Sequence, residues 1–493
     1  MSSNNDSIAT TKNIGKATAW SLAAEVAAKL IVPITNMVLA RILTPSAFGI
    51  IATLNVVISF AETFSTAGFQ KYIIQHTFDD EQSLHNSATV AFWTNVVISA
   101  FTWGVIAAFR NPLAKAVGSA GYGIPLAIAA LSLPLNALST VYEAMFQRRL
   151  EYRVLFVRRI VVSLLPFVVT IPLALLGLGH WALIIGTLAG SLVKAVLMAI
   201  VTKWKPRFYF NFSLLREMVS FGLWTLLESI AMWACSYIDI LIISNKLGEY
   251  YTGLYKNSQQ TVTGILSIIT GATTSVAFAA LSREQNNKTQ FEGVFYTFQR
   301  NIAVFVIPLG FGILCFKDLV TWVLLGDNWM EASDFVGIWG FCTACVCAWG
   351  TLVREAYRAK GKPRLSAFAQ FLHLLFIVPV CYYCVRLGFE RFIYIRSVIF
   401  LQMIVVHMVF VKVFLKMSPF KMLWDVKECV CSALVMFAMG TWLLSVSDSL
   451  WVQFVWILVC ILLYFGVLFL FPKYRKDIRR VISGFSDKVR GIK

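Results

Sequence analysis

Six of the charged side chains within long apolar stretches of this chain could do chemistry, because a charge there is costly unless it faces water or an opposite charge. They are Glu25, Lys29, Glu62, Lys194, Glu228 and Asp239. Glu25 and Lys29 are one helical turn apart and can pair. Lys194 and Glu228 lie deep in their stretches, whereas Glu62 and Asp239 lie nearer the ends. We expect the deep charges to line one water-filled cleft between two halves of the protein; the alternative is a set of structural ion pairs between helices.

Two residues of the first apolar stretch bear on the same cleft. Arg41, at its far end, is either a ligand group or an interfacial anchor. Pro33 follows Lys29 by four residues and permits a bend, because proline removes a backbone hydrogen bond. A bent helix beside a cavity would suit a gate, although packing alone also explains a proline there.

The apolar stretches are long enough to cross a bilayer. The 493 residues are 58% hydrophobic and 14% charged, which is too few charges for a soluble protein of this size. About 20 apolar residues span the hydrocarbon as a helix, and the stretches are too long and uniform for barrel strands. The sequence predicts an all-α polytopic membrane protein with about fourteen spans. The predicted spans are 17–40, 47–67, 87–109, 122–145, 159–177, 181–201, 217–244, 257–280, 299–316, 332–353, 365–385, 392–412, 427–446 and 451–471.

The basic residues indicate how the chain is oriented. Most of the 43 Lys and Arg residues lie in alternate gaps, on the side that also holds both termini. Cytoplasmic loops carry this excess, so we expect both termini in the cytoplasm. The net charge of +18 lies in gaps and tails rather than on a soluble domain, which argues against nucleic acid as a partner.

A weak internal repeat predicts two pseudo-symmetric six-helix lobes. Leu43 and Gly49 follow the first span as Leu247 and Gly253 follow the seventh, and the sequence after Phe146 resembles that after Tyr357. Such a parallel repeat has its axis along the membrane normal. The predicted regions are an N-tail (1–16), an N-lobe (17–201), a linker (202–216), a C-lobe (217–412), two extra helices (413–471) and a basic amphipathic tail (472–493).

Enzyme and metal chemistry find little support. The five His residues are scattered, and no gap is large enough for a catalytic domain. The ten Cys residues lie in or beside apolar stretches, which is typical of packing rather than metal binding. We therefore expect no catalytic residue, no metal site and no cofactor.

Several motifs resemble one known family. They are LARILTPSAFG at 39–49, FSTAGF at 64–69, DILIIS at 239–244, FAALSR at 278–283, LGDNW at 325–329 and KGKPR at 360–364. Together they resemble the polysaccharide-transporter family of oligosaccharide flippases, within the multidrug/oligosaccharidyl-lipid/polysaccharide exporter superfamily.

The resemblance implies that the substrate is an undecaprenyl-diphosphate-linked oligosaccharide, flipped to the periplasmic leaflet by alternating access between the lobes. Lys29, Lys194 and Arg41 are then candidates for the diphosphate, with Glu25 and Glu228 also in the cavity. Glu25, Glu228 and Asp239 are candidates for a coupling proton or cation. Expected partners are the lipid-linked substrate, membrane lipids and the polysaccharide synthesis machinery, and we expect a monomer.

Other functions remain open. A cation-coupled drug exporter of the same superfamily would favour an acidic cleft, and Lys29 and Lys194 argue against one. A glycan polymerase or ligase would need an essential carboxylate or histidine in an outer loop. A scaffold for glycan synthesis would depend on the tail after Lys473.

Overall fold

A computed structural model describes residues 31–65, 69–447 and 449–475, and the side chains of 65, 220–225, 227, 228, 272 and 275 are not described. Glu25, Lys29 and most of the basic tail therefore lie outside the described residues, as does the side chain of Glu228. Within the described part every regular element is helical. The prediction of an all-α protein is confirmed.

The described residues up to Arg283 form eleven α-helices. Their bounds are α1 Ile31–Ile42, α2 Pro45–Ser65, α3 Phe69–Gln75, α4 Glu81–Ala108, α5 Arg110–Ala116, α6 Gly123–Ala129, α7 Ser132–Arg148, α8 Tyr152–Leu165, α9 Ile171–Leu175, α10 His180–Val201 and α11 Phe212–Arg283. A π-helical turn, Pro166–Thr170, joins α8 to α9. It contains Pro166 and follows from the backbone hydrogen bond that a proline cannot donate.

Ten more helices follow. Their bounds are α12 Lys288–Cys315, α13 Lys317–Leu324, α14 Ser333–Val346, α15 Leu352–Ala359, α16 Arg364–Cys384, α17 Phe389–Phe400, α18 Gln402–Phe410, α19 Pro419–Trp424, α20 Lys427–Val446 and α21 Leu450–Leu470. Further π-helical turns at Cys347–Thr351 and Val411–Leu415 extend α14 and α18.

Twelve helical segments in the described residues are long and apolar enough to cross a membrane. The longest, Ser229–Gly271, has 43 residues and covers parts of the seventh and eighth predicted spans. Gly248 interrupts it with non-helical backbone (φ 84°, ψ −176°), a conformation that glycine adopts without steric cost. The described part of the first predicted span is the shorter α1. The count of fourteen therefore stays a prediction.

The chain divides into two compact units. The first contains the residues up to Thr261 with Leu325–Asn328 and Gln370–Phe392, and the second contains Val262–Leu324, Trp329–Ala369 and the residues from Ile393. The first unit thus includes the whole described part of the predicted N-lobe and continues into α11. The predicted lobe boundaries remain predictions.

Within the second unit, α20 and α21 pack on α12. Ala433, Met436, Tyr464 and Leu468 are buried in one cluster with residues of α12. The Tyr464 hydroxyl donates to the carbonyl of Val304 at 2.9 Å, which satisfies a buried phenol.

The internal repeat is visible in how corresponding helices begin and end. Helices α4 and α12 both have 28 residues. Each is capped at its start by a side-chain oxygen that accepts a hydrogen bond from the backbone amide three residues later. Asp80 accepts from Ser83 in α4, and Asn287 accepts from Gln290 in α12. Such caps satisfy amides that have no partner within the helix.

A second matched pair closes α7 and α15. After α7, the amide of Glu151 donates to the carbonyl of Phe146 at 2.9 Å, and after α15 the amide of Lys362 donates to that of Tyr357 at 2.8 Å. Each turn contains one residue with positive φ, Leu150 (58°) in the first and Gly361 (67°) in the second. The sequence match after Phe146 and Tyr357 therefore corresponds to one local backbone conformation.

Candidate functional site

A cluster of charges lies in the first unit near the predicted cytoplasmic ends of three helices. Arg158 of α8 forms an ion pair with Glu143 of α7, with Nη1 2.5 Å from Oε1, and the Lys194 ammonium of α10 is 3.8 Å from the same oxygen. All three side chains are less than a quarter exposed. Two cations thus share one carboxylate, and Lys194 is the more loosely held of the two.

Close packing of small residues brings α10 to this position. A Cβ atom on Gly186 would lie 2.0 Å from Oγ1 of Thr170, so only glycine allows α10 to approach the π-helical turn so closely. Gly190, one turn later, faces Val162 of α8. Lys194 continues the same face of α10, because residues four apart lie one above the other.

A cavity of about 420 Å³ opens beside this face. It reaches along α10 from Leu183 to Lys194, which is about 16 Å at the helical rise of 1.5 Å per residue. Its polar lining comes from α1, α7, α8, the π-helical turn and α10 and comprises Thr35, Asn36, Asn136, Ser163, Thr170, Thr187, Ser191 and Lys194. Among the described residues of this lining, Lys194 is the only cation, at the predicted inner end, and the other polar groups are neutral amides and hydroxyls.

Glu62 of α2 belongs to the same region. Its Oε1 accepts a hydrogen bond from Asn136 Nδ2 at 3.4 Å. Asn136 lines the cavity, so this amide connects Glu62 to the cavity wall. The structure thus brings Glu62 into the neighbourhood of Lys194; that the charges within the spans line one cleft stays a prediction.

A different contact joins the start of α2 to the middle of α11, on the predicted outer side of the membrane. We call it the glycine contact. A Cβ on Gly49 would lie 1.8 Å from the carbonyl oxygen of Glu249, and a Cβ on Gly253 would lie 1.8 Å from that of Pro45. The two glycines, which the sequence repeat pairs, therefore meet in a reciprocal backbone contact. Each occupies the same position relative to the other, as in a two-fold symmetric interface.

Further contacts strengthen this end of the unit. The Ser244 hydroxyl donates to the carbonyl of Val117 at 2.7 Å, and Asn245 Nδ2 donates to that of Ala116 at 3.1 Å. Gly118 has φ 84°, and a Cβ there would lie 2.5 Å from the backbone of Ser244. The loop after α5 is thus also packed against α11.

Asp239 connects the parts of α11 that lie before and after Gly248. Its Oδ2 accepts a hydrogen bond from the Tyr255 hydroxyl at 2.6 Å, and Gln259 Nε2 donates to that hydroxyl at 3.2 Å. Asp239 is 2% exposed. A buried carboxylate needs such donors, and its assignment to a coupling ion stays a prediction.

The remaining predicted residues are placed only in part. Arg41 is exposed, and its side chain lies against Gly326, where a Cβ would be 3.2 Å from Arg41 Cγ. Glu25 and Lys29 lie outside the described residues, as does the side chain of Glu228. Whether these groups share the cavity of Lys194 stays a prediction.

Sequence reasoning missed three members of the site. Glu143 and Asn136 lie inside the predicted fourth span, and Arg158 lies one residue before the fifth. The signal for Glu143 was available, because a carboxylate within a span is itself unusual. Arg158 falls in a gap between predicted spans, where a basic residue is expected from membrane orientation alone.

A second group of polar contacts lies on the predicted cytoplasmic side, among α3, α7 and α11. Arg148 Nη1 donates to the carbonyls of Ile73 at 2.8 Å and His76 at 2.7 Å, and the Tyr72 hydroxyl donates to Glu217 Oε1 at 2.8 Å. Burial and the neighbouring carboxylate raise the pKa of Tyr72 above its usual value. Through Arg148 and Tyr72, α3 is thus joined to the end of α7 and to the start of α11.

Comparison with known proteins gives one family match. The family described as "Polysaccharide biosynthesis protein" matches residues 38–334. A similar relative is the succinoglycan biosynthesis transport protein ExoT of Rhizobium meliloti, 24% identical over 328 residues. The match covers 66% of this chain and 65% of the relative, so somewhat less than two thirds of that protein's length is represented.

Solved structures show the same fold. The lipid II flippase MurJ, in an inward closed conformation, matches with a TM-score of 0.74 at 14% identity, over 94% of this chain and all of that one. A multidrug resistance MATE family transporter in an inward-facing conformation matches with a TM-score of 0.57 at 15% identity, over 82% of this chain and 95% of that one.

Proposed function

The chain belongs to the polysaccharide biosynthesis protein family, and from that premise we propose that it moves a lipid-linked oligosaccharide from one leaflet of the membrane to the other. The family match confirms the resemblance seen in the sequence. The chain is then a multi-span membrane transporter rather than an enzyme. The relative named as a succinoglycan transport protein and the fold shared with a lipid II flippase support this proposal.

The observation that carries the proposal is the cavity ending at Lys194. A diphosphate within the membrane needs cations, because no bulk water is available to solvate it. Lys194 lies at the cavity wall, and among the described residues no acceptor is bound to Nε of the neighbouring Arg158. The neutral amides and hydroxyls farther along the cavity suit sugar hydroxyls.

The finer features of the transport are part of the proposal. The carrier is undecaprenyl diphosphate, movement runs from the cytoplasmic to the periplasmic leaflet of a bacterial inner membrane, and both termini are cytoplasmic. The two lobes alternate access around the cavity, and the protein works as a monomer beside the polysaccharide synthesis machinery. Glu25, Lys29, Arg41, Glu228 and Asp239 remain candidate cavity or coupling residues.

Replacing Lys194 tests the cavity assignment. We expect Lys194→Ala to lower transport of labelled lipid-linked oligosaccharide in proteoliposomes by about tenfold or more, since a charge-assisted hydrogen bond contributes roughly 1.5–3 kcal/mol. Lys194→Arg should keep most of the activity, because it retains the charge. Transport, rather than growth, is measured directly.

A matched control separates this effect from a general loss of positive charge. Lys288 is exposed and lies 3.9 Å from Glu292 on its own helix, so Lys288→Ala should leave transport unchanged. Full activity of Lys194→Ala, at equal protein level, would remove Lys194 from the substrate path.

Export of a cationic drug is the second candidate, because the fold is shared with a MATE transporter. A cationic drug would favour a carboxylate at the cavity wall, whereas the described cavity has Lys194 there. Drug susceptibility of a deletion strain distinguishes the two functions. Increased susceptibility with intact surface polysaccharide would favour the drug exporter.

A further inference from the structure

Three buried side chains of α11, close in sequence to Gly253 of the glycine contact, have polar atoms without a partner. Asn257, Ser258 and Thr261 are 2%, 0% and 1% exposed. Among the described residues no partner is found for Asn257 Nδ2, Ser258 Oγ or Thr261 Oγ1. A polar group buried without a hydrogen bond is costly, and native structures contain only a few such groups per 100 residues.

Neighbouring hydroxyls on the same helix show how this cost is usually avoided. Thr252 donates to the carbonyl of Gly248 at 2.8 Å, Ser267 to that of Gly264 at 2.7 Å and Thr270 to that of Leu266 at 3.2 Å. Ser and Thr commonly bond to their own helix in this way. Ser258 and Thr261 do not, so local geometry leaves their hydroxyls available.

The position of these side chains relates them to the glycine contact. Gly253, Asn257 and Thr261 are spaced by four residues and lie on one face of α11. Gly253 is the residue that meets α2, and Asn257 follows it by one turn, about 6 Å deeper along the helix. The buried polar groups therefore continue inward from the point where α2 and α11 touch.

We propose that Asn257, Ser258 and Thr261, which we call the polar seam, bind sugar hydroxyls of the substrate when the glycine contact opens. Polar groups that are unsatisfied in one conformation are accounted for by a second conformation in which they have partners. The seam is neutral and combines an amide with two hydroxyls, which both donate and accept. Such groups match carbohydrate hydroxyls rather than a phosphate, which would require cations. The inference rests on the proposed function and assigns the glycan part of that substrate to these residues.

A triple variant, Asn257→Leu with Ser258→Ala and Thr261→Val, tests the seam because it replaces hydrogen-bonding groups by apolar groups of similar shape. Asn257 Nδ2 and the two hydroxyls that it removes have no partner among the described residues, so the Tm of the purified protein should stay equal or rise. Transport of a lipid-linked oligosaccharide in proteoliposomes should fall by about tenfold. Transport of the same lipid diphosphate bearing a single sugar should fall by less than about threefold, since fewer hydroxyls reach the seam.

The control is Thr270→Val, which removes a buried hydroxyl of the same helix that already bonds its own turn. It should leave transport of both substrates unchanged. A lower Tm for the triple variant would mean that the seam is satisfied in the closed conformation, and the inference fails. Equal loss for both substrates, or no loss for either, would also overturn it. If the wild-type protein transports neither substrate, the proposed function itself fails.

Discussion

Gly49→Ala and Gly253→Ala are each expected to lower the Tm and to impair transport strongly. An added Cβ would lie 1.8 Å from a backbone carbonyl oxygen of the facing helix, and backbone cannot move aside as a side chain can. The helices α2 and α11 must separate, and overpacking of this kind costs about 1–3 kcal/mol. Thermal unfolding in detergent and transport in proteoliposomes measure the two effects.

Gly104→Ala provides the matched control. Gly104 lies within α4, and a Cβ there would meet nothing within 4 Å. Alanine is favoured over glycine inside a helix by about 1 kcal/mol, so this variant should be as stable as the wild type or more so. Because Gly49 and Gly253 share one contact, the double variant should lose less than the sum of the single losses. Single variants that behave like Gly104→Ala would show that the helices do not meet as described.

Glu143→Gln should give the second large effect, a loss of stability. The change leaves Arg158 and Lys194 without the carboxylate that they share. Removing one partner of a buried ion pair costs up to about 3 kcal/mol here, the low end of the usual range, because each group retains some exposure. Thermal unfolding measures the loss, which should be smaller for Lys194→Ala because its contact with Glu143 is the longer one.

Two further variants identify the cause. Glu151→Gln changes an exposed carboxylate beyond the end of α7 and should be neutral. Combining Glu143→Gln with Arg158→Gln should recover part of the lost stability, since the buried guanidinium is then removed as well. An unchanged Tm for Glu143→Gln would show that the cluster is solvated and that Lys194 needs no counter-charge.

The membrane architecture could be predicted from the sequence because it depends on local composition. Runs of apolar residues predicted helices such as α4, α10 and α21, and each is a helix of membrane-spanning length. The gap predicted between the seventh and eighth spans, 245–256, is helical apart from a break in the backbone at Gly248. Hydropathy averages over such a break and places its ends several residues away.

The site could be predicted only in part, because it depends on contacts between distant residues. Lys194 was found from its unusual location, since a lysine inside an apolar stretch is conspicuous. Its relation to Glu143 and Arg158 depends on the packing of α10 on the π-helical turn after α8, through Gly186 and Thr170, for which no local pattern gives a signal. The repeat did pair Gly49 with Gly253, but pairing by sequence does not state that the two residues touch.

The matched capping of α4 with α12, and of α7 with α15, has a consequence for the history of the chain. Start and stop signals that agree in position are what persists after one ancestral gene segment has been copied end to end and its two copies have diverged. The sequence distance from Gly49 to Asp80 is shorter than that from Gly253 to Asn287, and the distance from Asp80 to Phe146 is shorter than that from Asn287 to Tyr357. Helices α4 and α12 have nevertheless kept equal length. Insertions into the second copy, or deletions from the first, have therefore accumulated outside these two helices.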